Sequence, residues 1–335
     1  MTSSKQFDLT TIGNALVDVL APVSDSFIQE QSAFGMVKGA MTLIDEARAL
    51  ELYELTGAGR TEMSGGSAGN TIAGFASFGG KGAYIGVVSN DSVGQVFADD
   101  LAKIGVHFAA APLDGGPASG RCMIFVTEDG ERTMNTFLGA ATELHADSLS
   151  VDVLTNSSVT YMEGYLFDKQ PAKDAYYRAA SIARGAGNRV SLTLSDAFCV
   201  NRHREDFLDL IKNHTDILFA NEDEIKALYE TDDFDAAVAA VKGQCELVAI
   251  TRSEKGSLIL SGDNVLEIAA ERVSKVLDTT GAGDQYAAGF LYGFTQGMSL
   301  EKCGVLGSMA ASEVISHMGP RPLVSYKDFL SKNAA

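Results

Sequence analysis

Residues 83–105 read AYIGVVSNDSVGQVFADDLAKIG, and this stretch sets the architecture. AYIGVVS (83–89) is a short apolar run of buried-strand type. Val93, Val96, Phe97, Leu101 and Ile104 then recur at three- and four-residue spacing, which predicts a helix over 92–104 stopped by Gly105. The same unit repeats along the chain. YME (161–163) precedes a helix through 172–184, VSLTLS (190–195) precedes one near 204–213, and DILFA (216–220) leads into NEDEIKALYE. LVAIT (247–251) is followed by strand-like SLILS, and the chain beyond Gly281 reads as two long helices. Such repetition predicts an α/β fold with a mainly parallel sheet covered by helices.

Two regions break the rhythm. Residues 14–45 hold short alternating runs with almost no helical signal. Residues 106–138 contain RCMIFVTEDGERTMNTFL, a β-hairpin with Asp129-Gly130 in its turn. Paired, the two insertions would form a small β lid over a large domain built from 1–13, 46–105 and 139–335.

The 335 residues suit about two domains, or one large α/β domain with an insertion. Lys+Arg 26 against Asp+Glu 44 leaves a net charge of −18. That surface repels nucleic acid and anionic lipid, so neither is an expected partner. A small phosphate ligand stays compatible, because local amides, a cation and one Arg can reverse the field inside a cleft. The four cysteines, Cys122, Cys199, Cys245 and Cys303, form no CxxC pair. With no signal-peptide-type segment and no run of 18 apolar residues, the expectation is a cytoplasmic protein.

DTTGAGDQYAAGF (278–290) carries the chemistry. Gly281, Ala282 and Gly283 leave unobstructed N–H groups at the start of a helix, which is an anion site. Asp284 sits in the first turn, where a carboxylate can accept a proton from an attacking hydroxyl while the amides stabilise a transferred phosphoryl group. A generic GAGD is as often only a Gly-rich turn with a dipole-favouring acid; the full DTTGAGD is far more specific.

The motif closely resembles the C-terminal signature of the ribokinase (PfkB) family of carbohydrate and nucleoside kinases. GGSAGNTIAGFASFGGKGAYIGVVSNDSVGQVFADDLAKIGV (65–106) resembles the family's N-terminal signature, and GNALVDV (13–19), ERTMNTFLGAA (131–141) and DILFANEDE (216–224) fall in the family's order. The resemblance spans nearly the whole chain. It implies a ribokinase-like three-layer α/β/α domain with a small β lid, and phosphotransfer from ATP with Mg²⁺; a monovalent cation stays an open addition. By position, Asp284 matches the catalytic base, Gly281, Ala282 and Gly283 the anion hole, and Arg132 a basic lid residue that reaches the phosphate. Asn14, Asp18, Gly65, Gly66 and Asn70 match the sugar-hydroxyl pocket. Thr251, Gly256 and Thr279 match the nucleotide site, as do Asn221 and Glu224, with Glu224 meeting Mg²⁺ through water.

The bland alternatives are specific. Asn221 and Glu224 also make an ideal capping box, and Arg132 could be a solvated hairpin charge. Asp18, an acid among apolar strand residues, is harder to dismiss. The nucleotide strand departs from the family's Thr-x-Gly-x-x-Gly, with Ser253 replacing the first Gly in TRSEKG (251–256). A rival class is a serine hydrolase, since Gly65-Gly66-Ser67-Ala68-Gly69 satisfies GxSxG and Ser67, Asp284 and His317 fall in Ser…Asp…His order. Against it, the preceding GAGRTEMS is polar and Gly-rich, without the buried strand a nucleophile elbow needs. A nucleotide sensor without turnover is a third class. Within the family, the opening strand, EGYL (163–166) and TLSDAF (193–198) look most like adenosine and related nucleoside kinases. Tyr165 and Phe198 are the candidate base-contacting rings, with Leu16, Met36 and Phe137 as apolar lid contacts. The expected reaction is phosphorylation of a nucleoside 5′-hydroxyl, adenosine foremost, with a sugar kinase for ribose, fructose or ketodeoxygluconate as the runner-up.

Overall fold

The computed structural model describes residues 5–333. Fourteen strands among them form two sheets. The large sheet contains β1 (Phe7–Ile12), β5 (Gly82–Ile85), β6 (His107–Phe108), β9 (Ser157–Glu163), β10 (Arg189–Thr193), β11 (Ile217–Asn221), β12 (Leu247–Thr251), β13 (Ser257–Ser261) and β14 (Asn264–Ile268). Its order is β14-β13-β12-β11-β10-β9-β1-β5-β6, parallel except for the antiparallel β12–β13 and β13–β14 pairs. The small sheet has the order β3-β8-β7-β2-β4, from β2 (Leu16–Pro22), β3 (Met41–Leu43), β4 (Thr61–Gly65), β7 (Gly120–Val126) and β8 (Arg132–Phe137).

Alternate residues of the central strands enter opposite cores. Leu218, Ala220, Val248 and Ile250 pack on one face; Ile217, Phe219, Leu247 and Ala249 pack on the other. Helices therefore cover both sides, giving the three expected layers. Parallel strands all end on one edge, and ligands in such sheets bind beyond those carboxyl ends. Asn14, Glu163, Asn221 and Thr251 lie there, each at or just past a strand end.

Three expectations need correction. Residues 61–65 belong to the small sheet, paired antiparallel with β2 from Leu16↔Gly65 to Leu20↔Thr61, not to the large domain. An edge strand with one paired side needs no apolar alternation, so TEMSG carries no strand signal. His107–Phe108 goes the other way, extending the large sheet beside β5 rather than opening the lid. Residues 14–45 also contain a helix, Asp25–Gln31, started by the Ser24 side chain accepting from Phe27 N.

Candidate active site

Two glycine-led helices meet at the centre of the strand-end cleft. The helix Ser67–Ser77 follows Gly66 (φ 79°), and the helix Ala282–Thr295 follows Gly281 (φ 79°), both in conformations that exclude most side chains. A Cβ on Gly281 would also stand 2.7 Å from Pro320. The helices are locked together by Gln285, whose Nε2 donates to Asn70 O and Pro320 O, each at 3.0 Å.

Asp284 lies in the first turn of its helix, as expected, and is held from the facing helix. Ser67 Oγ donates to its Oδ1 at 2.6 Å and Asn70 Nδ2 to its Oδ2 at 3.1 Å. Removal from water raises its carboxyl to about 6, against these two donors and Arg321, which lower it. The N–H groups of Gly283 and Asp284 make no backbone hydrogen bond among the described residues, whereas Ala282 N donates to Thr279 O at 3.2 Å. A proton acceptor thus sits beside free amides at a helix N-terminus. That arrangement suits transfer of a phosphoryl group to a hydroxyl.

Asp18 comes from β2 of the small sheet and is buried, its carboxyl raised to about 6 by desolvation. Gly65 directly faces it; a Cβ there would run into the Asp18 carboxylate. Asn14 is buried, but its amide is committed. Both its N and Nδ2 donate to Glu163 Oε1 at 2.8 Å, leaving Oδ1 as the buried acceptor with no partner. Glu163 also accepts Ala68 N at 2.7 Å, and so pins the β1–β2 crossing to the start of the Ser67–Ser77 helix. Glu163, which no sequence pattern marks, is fully buried and raised to about 7 by desolvation.

Arg132 is not a solvated charge. It is buried on β8, with Nη1 3.1 Å from Asp278 Oδ2, while its guanidinium donors lack a hydrogen-bond partner. Asp278 also accepts Thr280 N at 3.0 Å and Gly319 N at 2.8 Å. The small sheet therefore touches the DTTGAGD segment through a buried ion pair.

Of the residues expected to hold the nucleotide, Asn221 and Thr251 are register partners at the ends of β11 and β12. Asn221 and Glu224 do form the capping box: Asn221 Oδ1 accepts Glu224 N at 2.8 Å and Glu224 Oε2 accepts Asn221 N at 2.9 Å. Glu224 is buried and raised to about 7, chiefly by desolvation. Gly256 (φ 83°) packs against β14 so closely that a Cβ would strike Ile268 O. Ser253 adopts φ 51°, the left-handed conformation natural to the glycine it replaces. The loop shape survives at a cost of about 1 kcal/mol. Ser253→Gly is therefore expected to stabilise the protein by up to about 1 kcal/mol, read from a urea melt.

The two candidate rings separate. Tyr165 is half-buried and its hydroxyl donates to Ser195 O at 3.3 Å; desolvation, then the charges of Asp196, Asp284 and Glu224, raise its phenol strongly. Phe198 is 65% exposed, with the Arg202 guanidinium 4.3 Å over its ring. Tyr165 lies within electrostatic reach of Asp284 and Glu224, whereas Phe198 is largely open to solvent. Met36 and Leu16 are buried in the lid, and Phe137 is half-buried.

The hydrolase triad is not assembled. A strand does precede Ser67, contrary to expectation, but it is an antiparallel member of the small sheet. Ser67 donates to Asp284 directly, and His317 pairs with Glu313 at 3.1 Å.

A family model for pfkB family carbohydrate kinases matches residues 39–325. The chain belongs to that family. The crystal structure of adenosine kinase from Sinorhizobium meliloti is 51% identical, with TM-score 0.89 over 98% of this chain and all of that one. A probable sugar kinase from Rhizobium etli is 47% identical, with TM-score 0.90 over 98% and 99%. The adenosine kinase of Saccharomyces cerevisiae is 26% identical over 93% of this chain and 96% of its own. This kinase is accordingly a phosphotransferase, with the ribokinase-like fold its sequence implied. Among the described residues no helix is long and apolar enough to cross a membrane.

The desolvated acids of this kinase make a pH prediction. Asp18 and Asp284 are raised to about 6 and Glu163 and Glu224 to about 7, all above their ordinary values. A raised carboxyl means the folded state binds protons that the unfolded state does not. Stability should therefore rise as pH falls from 8 through 7 and 6, while turnover falls as Asp284 protonates. Melting temperature and kcat followed across that window should move in opposite directions; parallel loss of both would refute the protonation assignment.

Proposed function

We propose that this kinase transfers the γ-phosphoryl group of ATP to the 5′-hydroxyl of a nucleoside, adenosine foremost, giving AMP and ADP. The observation that carries this reading is the 51% identity, end to end, with the Sinorhizobium meliloti adenosine kinase. The cleft supports it chemically. Asp18, Asn70 and the unpartnered Asn14 Oδ1 offer acceptors and a donor for ribose hydroxyls. Asp284 takes the proton of the attacking hydroxyl, and the free amides of Gly283 and Asp284, with Arg132, receive the charge that develops on the transferred group.

Mg²⁺ is implied by the family. Asn221 donates to both oxygens of Glu224, and no group of three His, Cys, Asp or Glu among the described residues could cage an ion. This donor set fits a hard cation that keeps its waters and arrives on the triphosphate, with Glu224 reached through water. When bound, such an ion neutralises phosphate charge.

A sugar acceptor is the second reading, favoured by the exposure of Phe198 and the Rhizobium etli relative. Asp18 and Asn70 serve any vicinal diol, so the discrimination must come from base contacts. Measuring kcat/KM with Mg-ATP for adenosine, guanosine, inosine, ribose and fructose separates the two. A free sugar outperforming every nucleoside would replace the first reading by the second.

A further inference from the structure

The segment Gly319-Pro320-Arg321-Pro322 follows the long helix Leu300–Val314 and carries no family motif in the sequence reading. Its arginine nevertheless reaches the centre of the site. Arg321 is 14% exposed, with Nη1 3.4 Å from Asp100 Oδ2 on the helix Ser92–Lys103 and Nε 3.4 Å from Asn70 Oδ1. Nη2 is buried without a partner. Asp100 in turn accepts Ser64 N at 3.0 Å and Ser64 Oγ at 2.6 Å from the lid strand β4. The charged and titratable groups facing Arg321 are Asp100, Asp18 on β2, Tyr84 on β5 and Asp284.

We propose that Arg321 is a positioning residue for phosphoryl transfer, orienting the Asn70 amide through Nε and, braced by Asp100, fixing a positive charge beside Asp18 and Asp284. The inference rests on Asp284 as the base, but not on the acceptor being a nucleoside.

Arg321 orients the amide through hydrogen-bond direction. An amide side chain has one acceptor end and one donor end. With Arg321 holding Oδ1, Nδ2 is turned toward Asp284 Oδ2, where it donates at 3.1 Å. Without that hold the amide can flip and present its oxygen to a carboxylate, which repels it. The charge of Arg321 acts on the whole cluster. Asp284 is raised by desolvation, an effect that Ser67, Asn70 and Arg321 oppose, while its own charge pushes up Asp18, Glu163, Glu224, Tyr161 and Tyr165. Asp18 is raised by desolvation, which Arg321 and Arg132 both oppose. Asp284 has Arg321 as its compensating cation, so removing that cation leaves the base more readily protonated near neutral pH.

The test uses R321M and R321K in the full chain, with circular dichroism and melting temperature to check folding. Protein labelled with ¹³C at aspartate carboxyls is titrated without any substrate, with D284N assigning the Asp284 signal. R321M should move the Asp284 midpoint up by about one pH unit, whereas R321K, which keeps the charge, should leave it in place. The kcat/KM profile, taken with whichever acceptor the enzyme turns over best, should show the same shift of its acid limb. R321K, lacking the planar fork, should instead raise the acceptor KM by about tenfold with kcat little changed. If R321M does not fold, that R321K split decides alone. An Asp284 midpoint unmoved in R321M, a midpoint moved equally in both variants, or a wild-type KM in R321K overturns the proposal. Failure of the nucleoside reading would show separately, as turnover of a sugar in place of adenosine with the Arg321 effects intact.

Discussion

Asp284→Asn should lower kcat by about 10²-fold or more while ATP still binds. The substitution is nearly isosteric and Ser67 Oγ can still donate to the amide oxygen, so packing between the Ser67–Ser77 and Ala282–Thr295 helices should persist. What disappears is the proton acceptor. The backbone N–H groups at positions 283 and 284 remain in place to receive phosphate, which separates binding from chemistry. Single-turnover rates and calorimetric ATP affinity, measured on the same preparation, check both halves. Turnover within a few-fold of wild type would remove Asp284 from the base role.

Arg132→Met should be nearly as costly and for a different reason. In the apo protein it deletes the cationic half of a buried pair with Asp278, and breaking such a pair usually costs about 3–5 kcal/mol. Here the loss should be smaller, about 1–3 kcal/mol, because Asp278 keeps the Thr280 and Gly319 amides. In turnover the lid loses a cation whose donors have no other hydrogen-bond partner, and kcat should fall by about 10²-fold. Arg132→Lys keeps a point charge without the fork and should recover stability better than activity. A denaturant melt beside steady-state kinetics gives both numbers. Full activity in Arg132→Met would mean that the ion pair is structural only.

The large sheet was legible because its strands are buried on both faces and its helices carry a 3.6-residue apolar repeat. LVAIT and DILFA announce themselves as continuous apolar runs, and β12 and β11 formed there. β4 was not legible, since TEMSG draws its strand character from pairing with β2 rather than from its own pattern. The placement of Asp284 and the glycines before it at a helix start was readable because it is compressed into one turn. Glu163 and Arg321 were not. Each acts on partners far away in sequence, Asn14 and Ala68 for Glu163, Asn70 and Asp100 for Arg321, and no local spacing encodes such contacts. The one readable trace was an arginine held between two prolines. Phe198 shows the converse: an aromatic placed plausibly by its motif, yet displayed on the first turn of the Ala197–His214 helix with its ring open to solvent.

The most direct test of the central claim is a competition in one tube. The enzyme receives limiting γ-labelled Mg-ATP with equal concentrations of adenosine, ribose and fructose, and the labelled products are separated and their phosphate positions assigned by ³¹P NMR. The account predicts that the label appears in AMP, esterified at the 5′-oxygen, well ahead of either sugar phosphate. Label in a sugar phosphate with none in AMP would contradict it.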